Sequence, residues 1–414
     1  MFFSKKIKDT AAKKHKVSLR LDFNNSRGDF LKQKNVARVR NSVVSTFGFV
    51  PTVYNEEILR AVFRKGNYLV AVWQEHGVSA FNDENLQKLL IPMESDCIVS
   101  HVEYQGETVF SCTGGTYSTA DGRDRNTMTR NYYPSLAVCY DRVFGVSGNG
   151  LCMTDAGDIS SWDDTRRVTS HTKLDAVVAL DKIYVLGDTC YTFTPSAEEI
   201  DGKFAPFCYG IGAVQTESVI AFGKRAIFAT AKGLYELKKT AITPIFSDIC
   251  QYVSFDGCVA CAYKGKYVVL CKRKDTDSMR NDILLVLDVD SEQITAVLDV
   301  QPQHISVVDG ILYAVFDNKL YVMSDECVET CYVETVDFGS SDVKYLDKLT
   351  LRTQCDVDVW IGNGSEKRRY SIKGKNSIQS VPLAGSGRQF TVEVQARNGL
   401  DLDLAELTAH SYEV

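Results

Sequence analysis

At 414 residues the chain is too long for one ordinary domain and suits two or three. A hydrophobic fraction of 44% beside 24% charged residues excludes a disordered or collagen-like chain, and a net charge of −6 argues against a nucleic-acid coat built from the whole protein. Thirteen cysteines, spread singly through apolar runs, are too sparse for a disulfide scaffold and read as small buried hydrophobes of a protein folded in a reducing cytoplasm.

The chain opens with a basic arm, Lys5, Lys6, Lys8, Lys13, Lys14 and Lys16, ahead of an acidic body. Such an arm suits a solvated tail, a grip on a neighbouring subunit, or contact with nucleic-acid phosphates. Its apolar stretch is too short for a signal peptide, and no later run reaches the ~20 apolar residues of a membrane helix. Val17–Phe23 and Val36–Phe47 are predicted as entry strands, which gives a first segment of residues 1–50.

From residue 51 to residue 330 a hairpin recurs. Apolar runs rich in Tyr, Val and Phe meet across short turns centred near residues 66, 106, 141, 181, 223, 264 and 309. The seven turns fall roughly every 40 residues, the period of β-propeller blades. One small sheet cannot bury both of its faces; radial stacking gives each sheet two apolar neighbours, and closure removes the exposed ends. The expectation is a propeller of five to seven blades, against the alternative of one large or several small β-sandwiches. Within this region Gly114–Asn131 is predicted as a long polar loop. Its Arg123, Arg125 and Arg130 are candidates for contact with an acidic neighbour or with DNA phosphates.

Near residue 330 the pattern changes. Phe338–Ser341 reads as a loop. Six runs follow, at Leu346–Thr353, Val357–Ile361, Tyr370–Ile372, Ser377–Pro382, Phe390–Ala396 and Leu404–His410. Alternation such as Asp356-Val357-Asp358-Val359-Trp360 marks half-buried strands, so residues 331–414 are expected to form an antiparallel β-sandwich. The fold class is all-β throughout.

Catalytic chemistry is not visible. The six histidines are scattered, and Cys258-x-x-Cys261 lies in a strand without a second pair at zinc spacing. Asp275-Thr276-Asp277 with Asp282 lacks the glycine and distal glutamate of a calcium loop, and Arg27-Gly28-Asp29 is a tripeptide expected by chance. No phosphate-binding loop, dinucleotide fingerprint or nucleophile elbow occurs. The reading is a non-enzyme with no cofactor and no metal.

One stretch carries a family resemblance. Asp141-Arg142-Val143-Phe144-Gly145-Val146-Ser147-Gly148-Asn149, then Leu151–Asp155, Gly157-Asp158 and Trp162, resembles a phrase of short-tailed bacteriophage tail nozzle and tail stabilisation proteins. In those proteins an aromatic often stands where this chain has Met153. Val177–Phe193, Tyr209–Ala213, Gly233–Leu237 and Lys344–Arg352 are similar in order, so the resemblance spans about half of the chain. It implies a structural subunit of the virion tail: a propeller with β-domains that assembles as a ring with copies of itself. Its neighbours would be portal or adaptor proteins and fibres, around the channel through which DNA leaves, with non-specific DNA contact through the basic residues. The alternatives are a cellular propeller scaffold and a carbohydrate-binding or carbohydrate-active propeller, which would need carboxyl groups converging at the channel mouth.

Overall fold

The computed structural model describes residues 14–20, 33–39, 42–55, 59–65, 68–73, 77–82, 89–91, 100–112, 114–120, 126–164, 167–195, 202–239, 241–317, 319–324, 331–334, 343–363, 366–397 and 399–412. These form two compact units: Phe49–Ser324, and Met1–Gly48 together with Asp325–Val414.

The first unit is a seven-bladed β-propeller. Six blades are consecutive four-stranded antiparallel meanders, running over residues 59–91, 100–129, 135–169, 176–209, 220–245 and 253–298. The seventh joins His304–Val308, Ile311–Phe316 and Lys319–Ser324 to Gly48–Asn55, a strand from the other end of the unit. Phe49 packs on Phe316 at 5.5 Å between ring centroids. First strands lie side by side between the second and third, third and fourth, fifth and sixth, and sixth and seventh blades, and that of the seventh blade lies beside that of the first, which brings the last blade round to the first. The seven hairpins legible in the sequence are the first two strands of the seven blades.

Turn chemistry explains why those hairpins form. Gln105 and Gly106, Tyr140 and Asp141, Lys264 and Gly265, and Asp309 and Gly310 all have positive φ, the paired left-handed residues of a two-residue turn that matches strand twist. From the second to the fifth blade, buried clusters bridge each gap. Phe144 and Phe193 meet edge to face at 6.0 Å between the third and fourth blades, and Tyr184, Leu186, Ala226, Phe228 and Leu237 fill the next gap. Buried cross-blade bonds add register. Ser135 Oγ accepts from Val177 N at 3.0 Å, and Tyr267 donates from its hydroxyl to Ser218 O at 2.8 Å.

The predicted polar loop at Gly114–Asn131 is corrected. Gly115–Thr119 and Asn126–Thr129 are the third and fourth strands of the second blade, and Thr116, Tyr117, Ser118 and Thr119 are buried. Hydroxyls make this strand look like a loop in sequence. Inside, they are partnered: Thr116 Oγ1 lies 3.0 Å from Ser111 Oγ and 3.0 Å from Asn131 O.

The second unit is the expected sandwich. In one sheet Asp401–Tyr412 is central, flanked by Lys344–Thr353, which in turn carries Lys375–Pro382 and Ser386–Gly387. In the other, the order is Gln33–Lys34, Cys331–Glu334, Thr391–Ala396, Val357–Gly362 and Lys367–Ile372. Leu349, Leu351 and Leu407 from the first sheet meet Val359, Val392 and Val394 from the second in one core. The predicted loop Phe338–Ser341 lies outside the described residues.

The N-terminal strands depart from the expected boundary. Lys14–Arg20 pairs with residues 406–412, and Ser42–Ser45 meets the start of the same strand at Leu402 and Asp401. They belong to the sandwich. The propeller is therefore an insertion within the sandwich rather than a domain that follows an arm. The physical reason is the long strand Asp401–Tyr412, whose second edge would otherwise present a row of unpaired backbone groups.

Candidate interaction surfaces

The sequence-predicted contact residues are only partly described. Lys5, Lys6, Lys8, Lys13, Arg123 and Arg125 lie outside the described residues. Lys14 and Lys16 stand on the sandwich strand Lys14–Arg20, in register with Tyr412 and His410. Arg130 is exposed directly after the fourth strand of the second blade. Lys14 and Lys16 thus belong to one unit and Arg130 to the other.

The stretch that carried the resemblance folds as the first turn, second and third strands, and following loop of the third blade, and its polar groups are spent inside the protein. Tyr104, from the second blade, donates its hydroxyl to Asp141 O at 2.8 Å and accepts from Gly157 N at 3.1 Å. Gly157 has φ +76°, which glycine adopts at little cost. Asp158 caps the loop locally by accepting from Ser160 N at 2.9 Å. Its carboxyl is held below its ordinary range by the Ser160 side chain and amide.

Trp162 is buried against Tyr133, 4.8 Å between ring centroids, and its indole N–H donates to Asp164 Oδ1 at 2.9 Å. The same carboxylate accepts from Tyr133 and from Thr129. Burial opposes charge on Asp164, but these donors, with Asn131, outweigh it and hold the carboxyl below its ordinary range. Thr129 closes the second blade and Trp162 lies between the third and fourth strands of the third, so Asp164 pins the two together. Trp162 stands out in the sequence only as part of the stretch that carries the resemblance. Its polar pin, Asp164, carries no local signal.

The thiols behave as core. Cys258, Cys261 and Cys271 are buried; desolvation pushes Cys258 and Cys261 up to about 12 and holds Cys271 well above its ordinary range. Such groups stay protonated and unreactive at neutral pH. Asp282, from the suspected calcium loop, is buried and accepts from Arg273 N at 2.7 Å and Thr276 Oγ1 at 2.7 Å. It stabilises its own loop.

Two concave sites among the described residues bear on function. The first, about 320 Å³, lies among the first strands of the second to fifth blades and is lined by His101, Leu136, Val138, Val177, Glu217 and Ala221. His101 touches water although protein crowds it; the crowding lowers its pKa, Glu103 opposes that shift, and His304 from the seventh blade adds to it. Water contact keeps the desolvation partial. The fold brings these two histidines within electrostatic reach, which separation along the chain concealed. Among the described residues no group of three His, Cys, Asp or Glu is placed to hold a metal.

The second concavity, about 610 Å³, is a cleft on the sandwich where Val357–Gly362 lies between Lys367–Ile372 and Thr391–Ala396. Asp358, Ser371 and Gln395 are in register across these strands. Asp358 accepts from Arg369 Nη2 at 2.6 Å and Ser371 Oγ at 2.6 Å. Arg369, followed by Ser371, holds its carboxyl below the usual range. Arg369 also lies over the Trp360 ring, 5.6 Å from the centroid, and Lys367 approaches that ring at 5.6 Å. Asp356 accepts from Gly374 N at 2.8 Å and pairs with Lys373 at 3.3 Å. The sequence alternation placed Asp356 and Asp358 on the polar side of a strand; it did not reveal the cleft.

No protein family matches the sequence, and no curated protein does. Among solved structures, the extracellular domain of a putative hybrid two-component system from B. thetaiotaomicron is 11% identical, over 81% of this chain and 47% of that one, with a TM-score of 0.47. This chain thus spans about half the length of that domain. The Neurospora crassa Pan2 WD40 domain is 9% identical over 70% of this chain and 97% of its own, also at 0.47. A computationally designed protein, Ika8, is 11% identical over 70% and 95%, at 0.42. Among the described residues no helix is long and apolar enough to cross a membrane.

Proposed function

We propose that the chain is a structural subunit of a short-tailed bacteriophage tail, of the nozzle or stabilisation type. It would act by assembling with copies of itself and with neighbouring tail proteins around the DNA exit channel. The observation that carries this reading is the Asp141–Trp162 stretch. It resembles the tail-protein phrase, and here its Asp141, Gly157 and Trp162 help to weld one blade to the next while Asp158 caps their loop. A segment whose polar atoms are spent on architecture suits a building block. The basic residues Lys5, Lys6, Lys8, Lys13, Lys14, Lys16, Arg123, Arg125 and Arg130 supply sequence-independent contact with passing DNA or with an acidic neighbour.

Mass photometry and particle imaging of the purified chain, alone and with the proteins encoded beside it, test the reading. The expected outcome is a closed ring, or incorporation into one, with interfaces above ~1,000 Å². A chain that stays monomeric under both conditions overturns it.

A further inference from the structure

The cleft on the sandwich has the composition of a ligand site, and its argument is independent of ring assembly because every group in it belongs to the sandwich unit. Its volume of about 610 Å³ lies in the ~300–1,000 Å³ range of small-molecule pockets. The wall is organised before any ligand arrives. Arg369 is held at once by the Asp358 carboxylate and by the Trp360 ring, Ser371 is fixed by Asp358, and Asp356 is tied to a backbone amide. Preorganised polar groups of this kind hold a ligand without first spending entropy to order themselves.

Two lining groups are not spent on the wall. Arg397 is exposed and forms no ion pair among the described residues, acting on Asp358 only at a distance. The Gln395 side-chain amide, half-buried and opposite Asp358, has no hydrogen-bond partner among them. The lining cations Arg369, Lys373 and Arg397 outnumber the carboxylates Asp356 and Asp358 by one. A planar guanidinium presents paired donors that match a carboxylate. Gln395, Ser371 and the remaining lone pairs of Asp356 and Asp358 provide what hydroxyl groups need. Two fixed carboxylates disfavour a doubly charged phosphate ester, and the surplus cation disfavours a purely neutral sugar.

We propose that this cleft binds an acidic saccharide, a uronic-acid unit whose carboxylate is taken by Arg397 and whose hydroxyls are taken by Gln395, Ser371 and the aspartates. The unit could come from a free monosaccharide or from within a polysaccharide chain, and the test separates the two.

Isothermal titration of the full chain with D-glucuronate, with short glucuronate oligomers and with neutral glucose oligomers is the experiment. Expected is saturable uronate binding that weakens as salt rises, with neutral oligomers bound at least about tenfold more weakly, in line with one charge-assisted pair. Arg397→Glu should weaken uronate binding by about tenfold or more, and Gln395→Ala by a smaller factor, with unchanged melting temperatures. Tighter binding of the oligomer than of the monosaccharide assigns the chain form, and equal binding assigns the free sugar. Absence of saturable binding, equal affinity for neutral oligomers, or full affinity in both variants overturns the proposal. None of these results bears on whether the protein forms rings.

Discussion

Asp164 concentrates more of the propeller's polar chemistry than any residue singled out from the sequence. Three side chains, Thr129, Tyr133 and Trp162, donate to one carboxylate at the junction of two blades. Replacing it with Asn puts an amide N–H among donors. It also removes a charge-assisted acceptor, and buried donors left unpaired cost ~1–3 kcal/mol. Asp164→Asn should therefore destabilise the propeller by about 2–3 kcal/mol in urea unfolding followed by tryptophan fluorescence, with little change in the folded β-sheet spectrum. The pH dependence has a definite sign. The carboxyl titrates below its ordinary value in the folded chain, so its contribution is complete above the unfolded value near ~3.9 and is lost as pH falls through the lower folded value. The stability gap between the wild type and Asp164→Asn should accordingly be constant from pH 5 to pH 7 and shrink as pH drops below about 4. A gap that persists unchanged at pH 2.5 would show that the carboxylate does not carry the pin.

At the level of strands and turns, the blades were legible wherever apolar runs flank a turn that needs left-handed residues. Lys264-Gly265 is the clearest case. Both residues have positive φ, and a Cβ built on Gly265 would meet nothing within 4 Å. Gly265→Ala should therefore cost about 1 kcal/mol through backbone conformation alone, without loss of packing. Thermal unfolding measures this, and a cost several times larger would mean that the turn is packed against something. Elements escaped the sequence where burial and polarity disagree. Gly115–Thr119 is buried yet rich in hydroxyls, and only its cross-strand partners reveal it as a strand. The strand Lys14–Arg20 escaped for a different reason: its pairing partner, residues 406–412, lies at the far end of the chain. The cleft was half visible, because alternation put Asp356 and Asp358 outward, whereas Gln395 and Arg397 arrive from a strand that only the sheet order brings alongside.

For the whole molecule, the insertion of one unit within the other decides which fragments can fold. The propeller closes on itself: Gly48–Asn55 completes the last blade, so every blade has four strands within 48–324. The sandwich does not close within the C-terminal segment. Asp401–Tyr412 needs Lys14–Arg20 and Ser42–Ser45 along one edge, Cys331–Glu334 takes Gln33–Lys34, and Val36 contributes to the core. Residues 48–324 expressed alone should therefore give a soluble β-protein with a cooperative melt. Residues 325–414 alone should aggregate, since an exposed long edge strand invites pairing with other copies. Supplying residues 1–47 through a short flexible linker, in place of the propeller, should restore a folded sandwich, because it returns the missing strands at high effective concentration. Circular dichroism and sedimentation of the three fragments decide this. A well-folded monomer from residues 325–414 alone would show that the N-terminal strands decorate the sandwich rather than complete it. An arm of Lys5, Lys6, Lys8, Lys13, Lys14 and Lys16, as the sequence suggests, would then not be needed to complete the sandwich.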